Sequence, residues 1–170
     1  MPIKISLIAL FCLLTSATYA QKLEASFQID YELNPVVGVF PDTQVDFKFE
    51  AEDLANSYFN AVIQVATINT EMKARDAYLM KKQYFHVDKY PTMTFNSKRV
   101  FKEGIRYYVE GELTIKDVTK TLKLPIEVSF NETGISMLKT EFVIDRRDYN
   151  VGKSHFVLED DVTIRLRLKI

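Results

Sequence analysis

Apolar and polar residues alternate over long stretches of this chain, and the alternation is clearest in residues 105–130. In the first half of this stretch, every second residue is apolar apart from one glycine: Tyr107, Val109, Gly111, Leu113 and Ile115. After the polar segment 117–120 the alternation restarts with Leu122, Leu124, Ile126, Val128 and Phe130. Because successive side chains of a strand point to opposite faces, each half predicts a strand with one apolar and one solvated face. Two such strands joined by a short polar turn predict a β-hairpin.

The same reading predicts six more strands along the chain. They cover residues 23–33, 45–49, 61–67, 92–101, 138–144 and 162–170. We expect the first of them to end at Asn34-Pro35, a pair typical of turns. Residues 61–67 are apolar on both faces, which predicts a strand that is covered on its outer side as well.

Between the third and fourth predicted strands the pattern changes. Residues 71–83 contain no glycine or proline and many helix-forming side chains, so they predict a helix, with Asn69 or Thr70 as its cap. Eight amphipathic strands in series with one helix predict an all-β fold, an eight-stranded antiparallel β-barrel. Such a barrel can be packed solid or can hold one small ligand, and the periodicity does not separate these cases.

The first twenty residues have the pattern of a secretory signal peptide. Lys4 is their only charge, the apolar run 5–14 is too short to span a bilayer, and small residues precede Gln21. We therefore expect cleavage after Ala20 and a single domain over residues 21–170. A membrane anchor is disfavoured because no second run of that density follows, and Phe11 is too large for a lipoprotein cleavage site before Cys12.

Composition disfavours several kinds of function. The chain carries 22 basic and 23 acidic side chains, and this near-neutral balance lacks the basic field that nucleic-acid binding needs. Cys12 is the one cysteine, and it lies in the predicted leader. His86 and His155 have no metal-ligand spacing, and 159–161 lack the glycine of a calcium loop. No Gly-x-Ser-x-Gly motif is present, so we expect no metal, no cofactor and no enzyme activity.

Three blocks of sequence resemble the signature of the YceI-like family. The first comprises Arg75–Leu79, Tyr84–Val87 and Lys89–Ser97, the second is Gly111–Lys120, and the third is Asp145–Gly152. They follow one another at compatible spacing and span most of residues 21–170.

The resemblance implies a lipocalin-like barrel with an apolar tunnel and export to the periplasm. Well-described members carry a polyisoprenoid or another fatty chain in that tunnel, and no chemistry is established for the family. The chain departs from the family pattern in its opening strand, which is shorter and lacks the family's His-Ser pair, and at three single residues. It has Tyr78 where histidine is usual, and Asp117 and Asn150 where glycine is usual. Aspartate and asparagine tolerate positive φ better than other non-glycine residues, so we expect both turns to form.

Inward-facing apolar residues are the expected lining of such a tunnel. They are Phe47, Phe49, Ile63, Val65, Met93, Phe95, Tyr107, Val109, Leu113, Phe130, Phe142, Ile144 and Leu166. The alternative for each is that it fills a solid core, as inward apolar residues usually do.

Four charged residues are candidates either for contact with a lipid head group or for structural ion pairs. Arg75 and Asp76 lie together on the predicted helix, and Arg146 and Asp148 follow the seventh predicted strand. A guanidinium can hold a phosphate in a fork. The structural alternative, for instance a pair between Arg146 and Asp76, is the one that we favour.

The leading hypothesis is therefore an exported carrier or sequestering protein for a long-chain polyisoprenoid or related lipid, located in the periplasm or secreted. Its expected partner is that lipid, with no nucleic acid and no stable membrane span, and a homodimer is left open. A first alternative is an envelope interaction module with a solid interior. An enzyme acting on the lipid ranks last, because the predicted inward positions are almost entirely apolar.

Overall fold

The structure is a computed structural model and describes residues 23–170. The predicted signal peptide, residues 1–20, lies outside the described residues and stays a prediction.

The described chain forms one curled antiparallel sheet of nine strands. The strands are β1 (Leu23–Tyr31), β2 (Asn34–Phe40), β3 (Thr43–Lys48), β4 (Tyr58–Gln64), β5 (Thr92–Glu103), β6 (Arg106–Ile115), β7 (Val118–Asn131), β8 (Gly134–Asp145) and β9 (Leu158–Lys169). Their order across the sheet is β2-β1-β9-β8-β7-β6-β5-β4-β3. The sheet curls until β3 packs beside β1, without a hydrogen-bonded ladder between them. This confirms the predicted all-β, antiparallel barrel architecture.

The ninth strand, β2, is the one that the sequence reading omitted. Pro35 was taken to stop the first strand, but it lies in β2 opposite Asp30 of β1. Because β2 is at the end of the sheet order, the missing N–H of proline can face away from the ladder, as is typical of edge strands. Glu32 and Leu33, with φ of 50° and 64°, make the tight turn between β1 and β2.

The third predicted strand was too long. Its ladder ends at Gln64, and Val65–Thr67 form a short 3-10 turn. Val65, 1% exposed, points into the core from that turn. The apolar character on both faces of 61–67 therefore came partly from a turn and not from a strand covered on both sides.

The helix α1 (Lys73–Leu79) is also shorter than predicted. Met72 stands at its N-cap position without a side-chain cap, so the expected caps Asn69 and Thr70 are wrong. The chain after α1 continues in turns and packs Phe85 and Val87 against the core. The segment 68–90 thus covers one end of the barrel.

Two groups of buried residues fill the ends of the barrel. The helix-end cluster comprises Ala25, Phe40, Val65, Ile68, Met93, Leu113, Ile115, Ile144, Tyr149 and Val151. The terminal-end cluster comprises Leu23, Phe49, Val100, Val109, Leu124, Ile126, Leu138 and Leu168. Phe95, Phe142 and Leu166 pack against both clusters and therefore lie between them.

Candidate functional site

An apolar cavity of about 140 Å³ lies inside the barrel, and residues of both clusters line it. On β6 its wall includes Val109, Leu113 and Ile115. Six residue steps of a strand span about 20 Å, so the cavity is long and narrow. Its wall is made almost entirely of aliphatic and aromatic side chains on the inward parity of the strands.

Seven of the thirteen predicted lining residues do line this cavity: Ile63, Met93, Phe95, Val109, Leu113, Phe142 and Leu166. They come from β4, β5, β6, β8 and β9, and alternation placed all of them except Ile63 on the inward face. The structure therefore brings residues from distant parts of the sequence to one apolar space.

Five of the others point inward but pack at the ends of the barrel. Val65 and Ile144 belong to the helix-end cluster. Phe49 belongs to the terminal-end cluster and meets Tyr107 edge-to-face at 5.3 Å between ring centroids. Phe47 stacks on Phe59 at 5.9 Å. These five residues therefore pack as part of the core, which was the alternative to lining a tunnel. They are Val65, Ile144, Phe49, Tyr107 and Phe47.

Phe130 as a lining residue is wrong, because its side chain is 62% exposed. It lies near the tip of the β7–β8 hairpin, where the register shifts between Ser129 and Phe130. There the hairpin extends past the barrel core, so the inward parity no longer meets other strands. Alternation along one strand carries no information on where its neighbours end.

Other lining residues were missed although most lie on predicted strands. Examples are Phe27, Phe40, Val45, Ala61, Leu124, Leu138, Ile164 and Leu168. Most share the apolar parity of their strands and could have been found by extending that parity. Phe40 is an exception, because it belongs to the omitted strand β2.

Two glycines make room for aromatic rings at the cavity wall. A Cβ atom on Gly38 would come within 2.3 Å of the Phe27 ring, and one on Gly111 within 2.5 Å of the Phe95 ring and 2.6 Å of the Asn96 carbonyl oxygen. The tips of the Phe27 and Phe95 rings therefore lie directly against glycine backbone, where any other residue would collide with them.

One polar side chain, Thr140, lies in the inward row of β8 between Leu138 and Phe142. Its hydroxyl oxygen is buried and has no hydrogen-bond partner among the described residues. Tyr149 also has a buried hydroxyl without such a partner, but Tyr149 packs in the helix-end cluster, away from the cavity wall. Burial raises the pKa of Tyr149, so this hydroxyl stays neutral at ordinary pH.

Arg75 and Asp76 both bind Thr70, which is 2% exposed. Arg75 donates from Nε to Thr70 Oγ1 at 2.8 Å and from Nη2 to the Thr70 carbonyl at 2.6 Å. Asp76 Oδ1 accepts from the Thr70 N–H at 2.9 Å and from its hydroxyl at 2.5 Å. These two side chains fix the segment that leads into α1, outside the barrel.

Arg146 is 4% exposed and lies in a cage of backbone carbonyls. Its guanidinium donates to the carbonyls of Val151 at 2.8 Å, Lys153 at 2.9 Å and Glu159 at 3.0 Å. It also pairs with Asp160 at 2.7 Å. The expected pair of Arg146 with Asp76 is therefore wrong, because the loop after Tyr149 and the first residues of β9 supply every partner.

The turns at this end of the barrel are linked to one another. Asp148 pairs with Lys120 at the start of β7. Asn150 adopts a left-handed conformation with φ of 56°, as expected for its position, but in the β6–β7 turn the positive φ of 57° falls on Lys116 and not on Asp117. Lys116 donates to the Asn150 carbonyl, and burial lowers the pKa of Lys116. None of Arg75, Asp76, Arg146 and Asp148 lines the cavity.

Over residues 23–170, histidine, cysteine and carboxylate side chains nowhere come together in threes as metal ligands do. No helix within that range is long and apolar enough to cross a bilayer.

Comparisons with known proteins agree with this geometry. The sequence model of the YceI-like domain matches residues 18–170. A UPF0312 protein of Photorhabdus laumondii is 38% identical over 91 residues, which are 54% of this chain and 47% of that protein. The chain thus spans about half the length of the curated relatives that it matches.

Two solved structures share the fold. BcnA of Burkholderia cenocepacia superposes with a TM-score of 0.80 at 26% identity, covering 86% of this chain and 94% of that one. A polyisoprenoid binding domain from Saccharophagus degradans, implicated in plant cell wall breakdown, superposes with a TM-score of 0.66 at 13% identity, covering 86% and 91%.

Proposed function

Since this chain belongs to the YceI-like domain family and its barrel encloses an apolar cavity, we propose that it is an exported protein that carries or sequesters a long-chain lipid, a polyisoprenoid or a related molecule. The cavity wall is the observation that carries the proposal. Export, to the periplasm or the medium, is part of the proposal and is supported by the leader-like pattern of residues 1–20.

The physical basis is the transfer of hydrocarbon from water into a dry space. Each buried methylene contributes roughly 0.8 kcal/mol, so ten of them contribute about 8 kcal/mol before the cost of ordering the chain. No ion pair is needed for such binding. Selection then depends on the length and width of the ligand, because the wall offers few polar contacts.

The size of the cavity sets a condition on binding. A volume of about 140 Å³ is close to that of a cavity of about 150 Å³ which takes up benzene. A long chain therefore needs more room than the empty barrel offers. Phe95 and Phe142 lie between the two clusters, so their rings are the side chains that must move when a chain passes from one end to the other.

The comparisons support the ligand class at the level of the family. One protein that shares the fold, at 13% identity, is a polyisoprenoid binding domain. A binding protein fits the site better than an enzyme does. Catalysis needs convergent polar groups of shifted pKa, and the cavity wall of this barrel is apolar apart from a few side chains such as Thr140.

Mass spectrometry of organic extracts tests the proposal directly. The protein is expressed with its leader, purified without detergent and extracted, beside an unrelated exported protein of similar size. We expect a long-chain lipid in stoichiometric amount from this protein alone. Protein that is repeatedly empty, and that also takes up no added long-chain lipid, would contradict the proposal.

A further inference from the structure

We propose that the Thr140 hydroxyl is a hydrogen-bonding anchor inside the tunnel, and that the ligand is a lipid with a neutral oxygen function, an alcohol or a carbonyl, lying at mid-barrel. This inference rests on the proposed function and adds the polar chemistry of the ligand. It starts from a side chain that hydrocarbon binding alone does not explain.

The position of Thr140 is central and inward. It occupies the same parity of β8 as Leu138 and Phe142, and it pairs across the ladder with Leu166 of β9. All four residues line the cavity. Leu138 belongs to the terminal-end cluster and Phe142 packs against both clusters, so Thr140 lies about midway along the barrel.

An unpartnered hydroxyl at this place is costly for the empty protein. Leaving a buried donor or acceptor without a partner costs about 1–3 kcal/mol, whereas valine fills the same volume without that cost. The Thr140 oxygen has no partner among the described residues. A χ1 rotation of about 120° moves the hydroxyl oxygen to the position of the methyl group or of the Cβ hydrogen, and the rotamer that turns it toward the cavity lets the oxygen meet a ligand atom.

The residues that line the cavity also indicate the charge of the ligand. A buried carboxylate needs a cation or several donors, because its desolvation is expensive. Arg75 and Arg146 bind other partners and do not line the cavity, and Lys139, which borders it, lies on the outward parity of β8. A single neutral hydroxyl suits an alcohol or a carbonyl oxygen and is a poor partner for an ionised fatty acid.

The test compares Thr140→Val with Thr163→Val, the same change on the outward parity of neighbouring β9. Delipidated proteins are titrated with decanol, decane and decanoate at neutral pH, followed by displacement of an environment-sensitive dye. We expect Thr140→Val to weaken decanol binding by about 2- to 12-fold. Decane binding should change less than about 2-fold, and decanoate should bind the natural protein more weakly than decanol. Thr163→Val should leave all three affinities unchanged.

A second readout needs no ligand. Removing an unsatisfied hydroxyl should raise the melting temperature of the empty Thr140→Val protein by about 2–12 °C. Equal effects of Thr140→Val on decanol and decane, or a lowered melting temperature, would overturn the anchor but leave the carrier proposal standing. If the natural protein bound neither decane nor decanol, both proposals would fail.

Discussion

Among single residues, Arg146 shows how the helix end of the barrel is held together. Its guanidinium binds two backbone carbonyls in the loop before β9, and one carbonyl and the Asp160 carboxylate in the first residues of β9. A Cβ on Gly152 would lie 2.6 Å from Arg146 Nη1, so a glycine is needed for the loop to close over this side chain. Breaking a buried ion pair is expensive because it strands the partner groups.

We expect Arg146→Met to lower the free energy of unfolding by about 3–5 kcal/mol, because four acceptors lose their buried donor. The control is Arg147→Met. The Arg147 side chain is 45% exposed and also pairs with Asp160, and its loss should cost less than about 1 kcal/mol. Urea unfolding of both variants measures the difference. An Arg146→Met protein of normal stability that no longer binds lipid would instead assign this residue to a head group.

The partners of Arg146 could not be read from the sequence. The sequence shows arginine and aspartate residues at 75–76 and 145–148. Which carboxylate and carbonyl groups Arg146 binds depends on the path of residues 151–160 in space. Alternation gives the face of a side chain in a strand and gives nothing for a side chain in a loop. The same reason explains why the seven predicted residues that border the cavity all lie in strands.

At the scale of the elements, the β1–β2 hairpin has an unfavourable turn. Its two-residue turn puts both Glu32 and Leu33 at positive φ, and Leu33 is 95% exposed. Turns of this geometry favour asparagine and glycine. A side chain in the left-handed region costs roughly 1–2 kcal/mol, and Leu33 has no burial that compensates for it.

Leu33→Gly should therefore stabilise the protein by about 1 kcal/mol, measured by thermal or urea unfolding. Ile105→Gly is a suitable control, since Ile105 is 90% exposed in another hairpin turn and has no positive φ. There glycine only adds freedom to the unfolded chain and should cost about 0.5–1 kcal/mol. A loss of stability in Leu33→Gly similar to that in Ile105→Gly would mean that the turn is not strained.

The strand that follows this turn, β2, is the element that the sequence did not predict. The sequence predicted eight strands by alternation, and each has a counterpart in the structure. It omitted β2 because Asn34-Pro35 was taken as an end, whereas an edge strand tolerates proline. A strand boundary depends on whether a neighbour is present to pair with it, and single-sequence periodicity does not contain that information.

For the whole molecule, the sequence predicted a barrel with an apolar interior but not whether that interior is hollow. Most inward residues are apolar in either case. The difference arises from how the rings pack, for example Phe95 over Gly111 and Phe27 over Gly38. A cavity is a property of many side chains together.

Filling the cavity should abolish lipid uptake without unfolding the protein. Ala61 lines the cavity on β4, and its neighbour Val62 lies on the outer face, 36% exposed. We expect Ala61→Phe to cost about 1–3 kcal/mol of stability and to lose measurable binding of long-chain lipid. Val62→Phe should keep binding close to that of the natural protein. Titration with a long-chain alcohol, after circular dichroism has shown both variants to be folded, measures the effect. Normal uptake by Ala61→Phe would place the lipid somewhere else.

The central claim is that a hydrocarbon chain enters the space between the two clusters. The most direct measurement is a crystal structure of the delipidated protein soaked with a long-chain lipid that carries bromine at its tail, with the bromine located by anomalous scattering. The account predicts one strong peak inside the barrel, near Phe95, Phe142 and Leu166, with the ring of Phe95 or of Phe142 turned aside. A peak only on the outer surface, beside an interior that is unchanged and empty, would contradict it.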